Sequence, residues 1–135
     1  MHDLELICLA KQARERAYAP YSGFMVGAAL LCDDGAVYTG CNIENAAYSP
    51  TNCAERTAFF KAVSEGKTAF AAIAIVAGPQ DGALSTTAPC GVCRQVMAEF
   101  CKPEFRILLG AEGEDYAAYT LAQLLPCGFG PGNLN

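Results

Sequence analysis

A chain of 135 residues, 53% of them apolar, can bury a core of its own and is expected to form one domain over residues 1–135. A net charge of −5 excludes the basic stripe that a nucleic-acid surface needs to neutralise phosphates. No apolar run approaches the roughly 20 residues of a membrane helix, so neither nucleic acid nor membrane is an expected partner.

Met1-His2-Asp3-Leu4-Glu5 opens with acidic residues rather than the basic n-region and apolar stretch of a signal peptide, which points to a cytoplasmic protein. Residues 3–17 read as an amphipathic helix, with Leu6, Leu9, Ala10, Ala13 and Ala17 on one face and Lys11, Arg14 and Glu15 largely off it. Pro20 and Gly23 end that pattern. Val26–Leu31 is an apolar run of strand length, Asp33-Asp34-Gly35 a turn, and Ala36–Cys41 a returning strand. Residues 42–52 are loop-like. A helix is expected from Cys53 to about Glu65, ended by Gly66, and Phe70–Ala77 is apolar on both faces, as a covered central strand would be. A loop follows over 78–89. Gly91–Phe100 reads as a buried helix with Val92, Val96 and Phe100 in register. Arg106–Leu109 reads as a short strand, Tyr116–Thr120 as an edge strand, Leu121–Leu125 as a brief helix, and the tail from Pro126 as irregular. Strands alternate with helices after the hairpin, so the expected fold is α/β: a mixed sheet of about five strands covered by helices.

Eight cysteines in a chain this long and apolar point to metal binding or burial rather than a disulfide scaffold. Cys8, Cys32, Cys41, Cys101 and Cys127 are expected as small buried hydrophobes. The other three stand in two segments, Cys53-Ala54-Glu55 and Pro89-Cys90-Gly91-Val92-Cys93. A Cys-x-x-Cys pair spans about one helical turn, and each segment opens an expected helix, where unpaired amides favour the thiolate that a metal requires. Cys53, Cys90 and Cys93 together can hold one Zn²⁺ per chain. Three ligands are one short of a closed tetrahedron and leave a position for water. Glu55, two residues from a ligand, can move that water's protons. No histidine is available for this role, since His2 is the only one in the chain and is expected to be exposed. Zinc with three thiolates carries a net −1; Arg56 first, and Arg94 second, are candidates to offset it. Other readings stay open. Cys90 and Cys93 have the spacing of a thioredoxin-like redox pair, Asn52 and Glu55 have the spacing of a helix capping box, and Arg56 has the position of a solvated helix-face residue. A closed structural zinc site would need a fourth sulfur, such as Cys41 or Cys127.

The sequence resembles the small homotetrameric zinc-dependent cytidine deaminases of nucleoside salvage. The likeness runs through Tyr18-Ala19-Pro20-Tyr21-Ser22, Val26-Gly27-Ala28-Ala29-Leu30, Gly40-Cys41-Asn42-Ile43-Glu44-Asn45-Ala46, Cys53-Ala54-Glu55-Arg56, Pro89-Cys90-Gly91-Val92-Cys93-Arg94-Gln95 and Leu124-Leu125-Pro126. Zinc deaminases of this kind combine three Cys ligands with a non-ligand Glu and a P-C-x-x-C segment, the same pattern as here. The resemblance implies a three-layer α-β-α fold, a homotetramer, and hydrolysis of cytidine and 2′-deoxycytidine to uridine and 2′-deoxyuridine with Glu55 as the catalytic proton carrier. It implies that Asn42 and Glu44 grip the sugar 3′-hydroxyl and that Phe24 packs on the pyrimidine. It also implies that the Ala54 N–H meets the 2-oxo group and that Phe129 reaches a neighbouring subunit's site. Another aminopyrimidine substrate, such as blasticidin S, is the alternative within the family, and the Asn42–Glu44 pair favours cytidine. The 78–88 loop looks a few residues long for the family and lies far in sequence from these contacts.

Overall fold

The alternation of inward and outward side chains along three strands decides the architecture. In the computed structural model, which describes residues 1–135, β1 (Phe24–Cys32), β3 (Phe70–Pro79) and β4 (Arg106–Gly110) form the middle of a five-stranded sheet of order β2-β1-β3-β4-β5. β2 (Val37–Cys41) and β5 (Tyr116–Thr120) are its edges. β1 runs antiparallel to both β2 and β3, β3 and β4 are parallel, and β5 returns antiparallel to β4. Ala28, Leu30, Ile73, Ile75, Ile107 and Leu109 point to one face, where they pack with Ala54, Ala58 and Phe59 of α2 (Ala54–Ser64) and Met97 of α3 (Gly91–Phe100). Ala29, Ala72, Ala74, Val76 and Leu108 point to the other, against Leu6, Ile7 and Ala10 of α1 (Asp3–Arg14). The sheet is thus covered on both sides, as the parallel β3–β4 pair requires. A short α4 (Leu121–Leu124) and a 3₁₀ turn at Pro131–Asn133 complete the chain.

Two departures from the sequence reading are physical in origin. Arg14 falls off the apolar face of α1 in the sequence pattern, yet it is buried: its guanidinium donates to the carbonyls of Met25 (3.1 Å), Gly78 (3.0 Å) and Pro79 (2.7 Å). A buried guanidinium is tolerated where its donors find acceptors, and here they find the start of β1 and the end of β3. In α3 the buried residues are Cys93 and Met97, while Val92 is 57% exposed. Val96 and Phe100 pack partly buried against the core as expected, but the helix is turned so that Cys93 and Met97 face fully inward and Val92 does not.

Close packing at Gly40 sets the position of α2. A Cβ at Gly40 would lie 2.6 Å from the Ala54 carbonyl oxygen and 2.7 Å from the Ala58 nitrogen, so only glycine lets the helix rest on β2 at this depth. Phe59 of α2 meets Phe70 of β3 edge-on at 5.1 Å, lies 6.1 Å from Phe105 and stacks at 6.5 Å on Phe100 of α3, tying both helices to the sheet. Gly40→Ala is expected to cost about 3 kcal/mol, the range of core overpacking, and to displace the first turn of α2. Unfolding in urea would measure the loss, and an unchanged midpoint would contradict the close contact.

Asp3 ties the start of α1 to the far edge of the sheet. Both carboxylate oxygens accept from Arg106 at 2.8 Å, and Oδ2 also accepts from the Tyr116 hydroxyl at 2.9 Å. The Arg106 guanidinium foremost, with Tyr116 adding, holds Asp3 down at about 2. A depressed carboxylate stabilises the fold above its ordinary value near 4 and loses that contribution as pH falls through its folded value. Asp3→Asn should therefore destabilise by under about 1 kcal/mol at neutral pH, because Arg106 is half-exposed and screened. The gap from wild type should close as pH falls from about 4 to about 2, as thermal unfolding across that window would show.

Candidate active site

The register of the sheet gathers one end of three strands. Phe24 at the start of β1 pairs with Pro79 at the end of β3, and Gly27 pairs with Cys41 at the end of β2. The starts of α2 and α3 meet at this same end. Cys53 is the N-cap of α2 and Cys90 the N-cap of α3, both with extended backbone and neither making a side-chain cap bond. Their sulfurs are 3.9 Å apart, Cys90 and Cys93 are 3.4 Å apart, and all three lie within 4.8 Å of one another. None is in a disulfide. A zinc ion at about 2.3 Å from each sulfur would separate tetrahedral ligands by roughly 3.8 Å, which matches this spacing. No fourth Cys, His, Asp or Glu joins the group, so neither Cys41 nor Cys127 closes the site.

The acid–base state of the sulfurs fits a cation as well. The neighbouring Cys93 thiol, with Arg56 assisting, lowers Cys53 to about 5, while the adjacent Cys53 sulfur and burial hold Cys93 upward. A divalent cation at the three sulfurs would displace the protons that remain on them. Arg56 donates from Nη2 to the Cys53 sulfur at 3.2 Å, and the thiolate raises the arginine in return. Its Nε is buried with no partner, a donor left over beside the sulfur cluster. Arg94, the second candidate, instead donates to the carbonyls of Pro89 (2.7 Å) and Leu124 (2.5 Å).

Glu55, in the first turn of α2, is 4% exposed, and burial pushes it up to about 7 with the Cys53 thiolate adding to the rise. Asn52 does not cap α2: its side-chain amide donates to the Thr57 hydroxyl at 3.2 Å, so the capping-box reading is not realised. Glu55 lines a cavity of about 250 Å³ together with Cys53, Cys90, Phe24, Asn42 and Glu44. Ala54 is fully buried in its wall, its N–H in the helical turn that lacks intrahelical acceptors. Asn42 is buried, accepting from the Val26 N–H at 2.9 Å and donating to the Phe24 carbonyl at 2.8 Å, which continues the ladder to β1 after β2 has ended. That leaves one amide N–H for other use. Phe24 is 37% exposed at the mouth.

Phe129 does not line this cavity. It is 57% exposed and borders a larger hollow of about 520 Å³ beneath the C-terminal tail, whose lining holds no carboxylate or histidine. Size alone therefore does not mark the reactive cavity. Cys8 and Cys127 are exposed rather than buried, Cys41 and Cys101 are partly buried, and only Cys32 among the five sits fully in the core. The 78–88 loop also departs from its sequence reading: Thr87 and Ala88 line the cavity, because the chain must return from β3 to the Cys90 helix start. Ser22 lines it too, and its place within Tyr18-Ala19-Pro20-Tyr21-Ser22 is the signal available for it in the sequence.

Residues 1–109 match the family model of the cytidine and deoxycytidylate deaminase zinc-binding region. The chain belongs to the cytidine deaminase family. It is 53% identical over 131 residues to the cytidine deaminase of Sporosarcina psychrophila, covering 97% of this chain and 93% of that protein. It is 52% identical over 130 residues to that of Halalkalibacterium halodurans, covering 96% of each. The crystal structure of cytidine deaminase from Burkholderia pseudomallei superposes with a TM-score of 0.87 at 49% identity, over 96% of this chain and all of that one. The deaminase family's zinc-binding region and the Cys53–Cys90–Cys93 cluster fit one zinc per chain. Elemental analysis should accordingly find one zinc per chain in the wild type and almost none in Cys93→Ala. Retention of full zinc by that variant would remove Cys93 from the ligand set.

Proposed function

We propose that this protein is a cytidine deaminase that hydrolyses cytidine and 2′-deoxycytidine to uridine and 2′-deoxyuridine, releasing ammonia. The observation that carries the reading is a buried carboxyl, Glu55, in the wall of a cavity that Cys53 and Cys90 also line from two helix starts, with the buried Cys93 clustered behind them. Membership of the family and the names of the relatives support it. When held by Cys53, Cys90 and Cys93, zinc supplies the Lewis acidity that makes water nucleophilic at neutral pH. Glu55 takes one proton from the attacking water and delivers it to ring N3, which makes C4 electrophilic. After addition at C4, Glu55 carries the second proton from the new hydroxyl to the amino group, which leaves as ammonia. One carboxylate thus serves as base and then as acid.

The remaining residues bind and orient. Phe24 packs on the pyrimidine, the Ala54 N–H donates to the 2-oxo group, and Asn42 and Glu44 hold the sugar 3′-hydroxyl. Arg56 offsets the thiolate charge. The chain acts as a single deaminase domain over 1–135 in a cytoplasmic homotetramer. There Phe129, exposed and outside its own chain's cavity, reaches a neighbouring subunit's site. Free nucleosides rather than polymers are the substrates, since a net charge of −5 offers no channel for flanking phosphates.

Purified holoenzyme should deplete the absorbance of cytidine, lose that activity to a chelator and regain it with added zinc. Ammonia release from cytidine and from blasticidin S, measured side by side, separates the two aminopyrimidine substrates. Glu55→Gln should lower kcat by about 10⁴-fold or more while zinc content stays at the wild-type level. Near-normal turnover by this variant would rule out the proton-carrier role.

A further inference from the structure

Glu44 is held by a set of contacts that the proposed chemistry does not itself use. Its Oε1 accepts from the backbone N–H groups of Tyr21 (2.9 Å) and Ser22 (3.1 Å), and its Oε2 accepts from the Ser22 hydroxyl. That hydroxyl oxygen in turn accepts from the Phe24 N–H at 3.0 Å. Gly23, at φ +69°, makes the turn that lets Ser22 and Phe24 face each other across one residue. An ionised carboxylate has about four acceptor sites, two on each oxygen. Oε1 is filled by two amides, and Oε2 has one site left beside the Ser22 hydroxyl. A hydroxyl has a single proton, and the Phe24 amide occupies its oxygen side, so the proton is committed to Glu44. The Ser22 hydroxyl is also the largest influence holding Glu44 below its ordinary value, the two amides adding to it. Ser22, Phe24 and Glu44 all line the same cavity.

We propose that Ser22 is a positioning residue: by pinning Oε2 of Glu44 against the Phe24 backbone, it aims the one remaining acceptor site of that carboxylate at the sugar 3′-hydroxyl of the nucleoside. This rests on the nucleoside reading given above. Ser22 therefore couples the wall that meets the pyrimidine to the wall that meets the sugar. Without its hydroxyl, Oε2 has two open sites and can turn toward solvent, so the acceptor is present but no longer aimed.

The test compares Ser22→Ala with the wild type on 2′-deoxycytidine, which has the 3′-hydroxyl, and on 3′-deoxycytidine, which lacks it. Ser22→Ala is expected to lower kcat/KM for 2′-deoxycytidine about tenfold, mostly through KM, because the contact lies away from the reacting C4. On 3′-deoxycytidine the penalty should shrink to under about twofold, since no 3′-hydroxyl is there to be aimed at. Ser22→Thr, which keeps the hydroxyl, should restore the wild-type KM. In a cycle with Glu44→Gln, the two losses should overlap rather than add, as expected of residues that act through one contact. Equal penalties on both nucleosides, an unaffected KM for 2′-deoxycytidine, or additive losses would each overturn the assignment while leaving the deaminase reading intact. A zinc-loaded wild type that turns over neither nucleoside would overturn the deaminase reading and this inference with it.

Discussion

Everything at the reactive end of this protein depends on two helices beginning at the same point. Cysteines occupy both N-cap positions, Cys53 and Cys90, and neither side chain caps its helix. A Ser, Thr, Asp or Asn there would contribute about 1 kcal/mol to each helix. Giving that up leaves sulfurs free at positions where helix amides favour a thiolate. The meeting point is held from behind. Phe59, Phe70, Phe100 and Phe105 fix α2 and α3 to the sheet, and Gly40 sets how deeply α2 sits. The spacing of the sulfurs is thus a property of the core, not of the loops that carry them.

The opposite layer contributes as well. Arg14 reaches from α1 to the carbonyl of Met25, which lies between the cavity-lining Phe24 and Val26, and to those of Gly78 and Pro79 at the end of β3. Asn42 prolongs the β1–β2 ladder beyond Cys41 with its backbone N–H, which donates to the Val26 carbonyl at 3.2 Å, and with its side-chain amide. Both use polar groups to fix strand ends where the sheet would otherwise fray. A cavity wall built from strand ends needs that support, because terminal residues of a strand have fewer ladder bonds than central ones.

The strands and the two cysteine-led helices are legible in the sequence because their signals are local. Apolar runs of the right length, Gly-bearing turns and a Cys-x-x-Cys at a helix start each need only a few neighbouring residues. Readings that require orientation fare less well. In α3 the apolar residues Val92, Val96 and Phe100 suggest one inward face, but the need to aim Cys93 at the other sulfurs turns the helix and leaves Val92 in the open. Arg14 resembles a surface charge because its three carbonyl partners lie 11, 64 and 65 residues away. Cys8 and Cys127 resemble core residues by type alone, and their exposure follows from the faces their segments present. Thr87 and Ala88 enter the cavity through a crossover that no local pattern encodes.

Charge narrows the choice between the two substrate classes in the family's description, nucleoside and nucleotide. The cavity lining includes two carboxylates, Glu44 and Glu55, and no lysine or arginine. Three thiolates exceed the +2 of a zinc ion by one negative charge, and Arg56, donating to the Cys53 sulfur, is directed at that excess. A phosphate entering this cavity would therefore meet an anionic lining with no lysine or arginine to pair with, at a desolvation cost that a neutral ligand does not meet. Glu44 strengthens the bias: the Ser22 hydroxyl foremost, with the Tyr21 and Ser22 amides adding, favours its ionised form, so this carboxylate of the cavity repels an anion rather than yielding a proton to it.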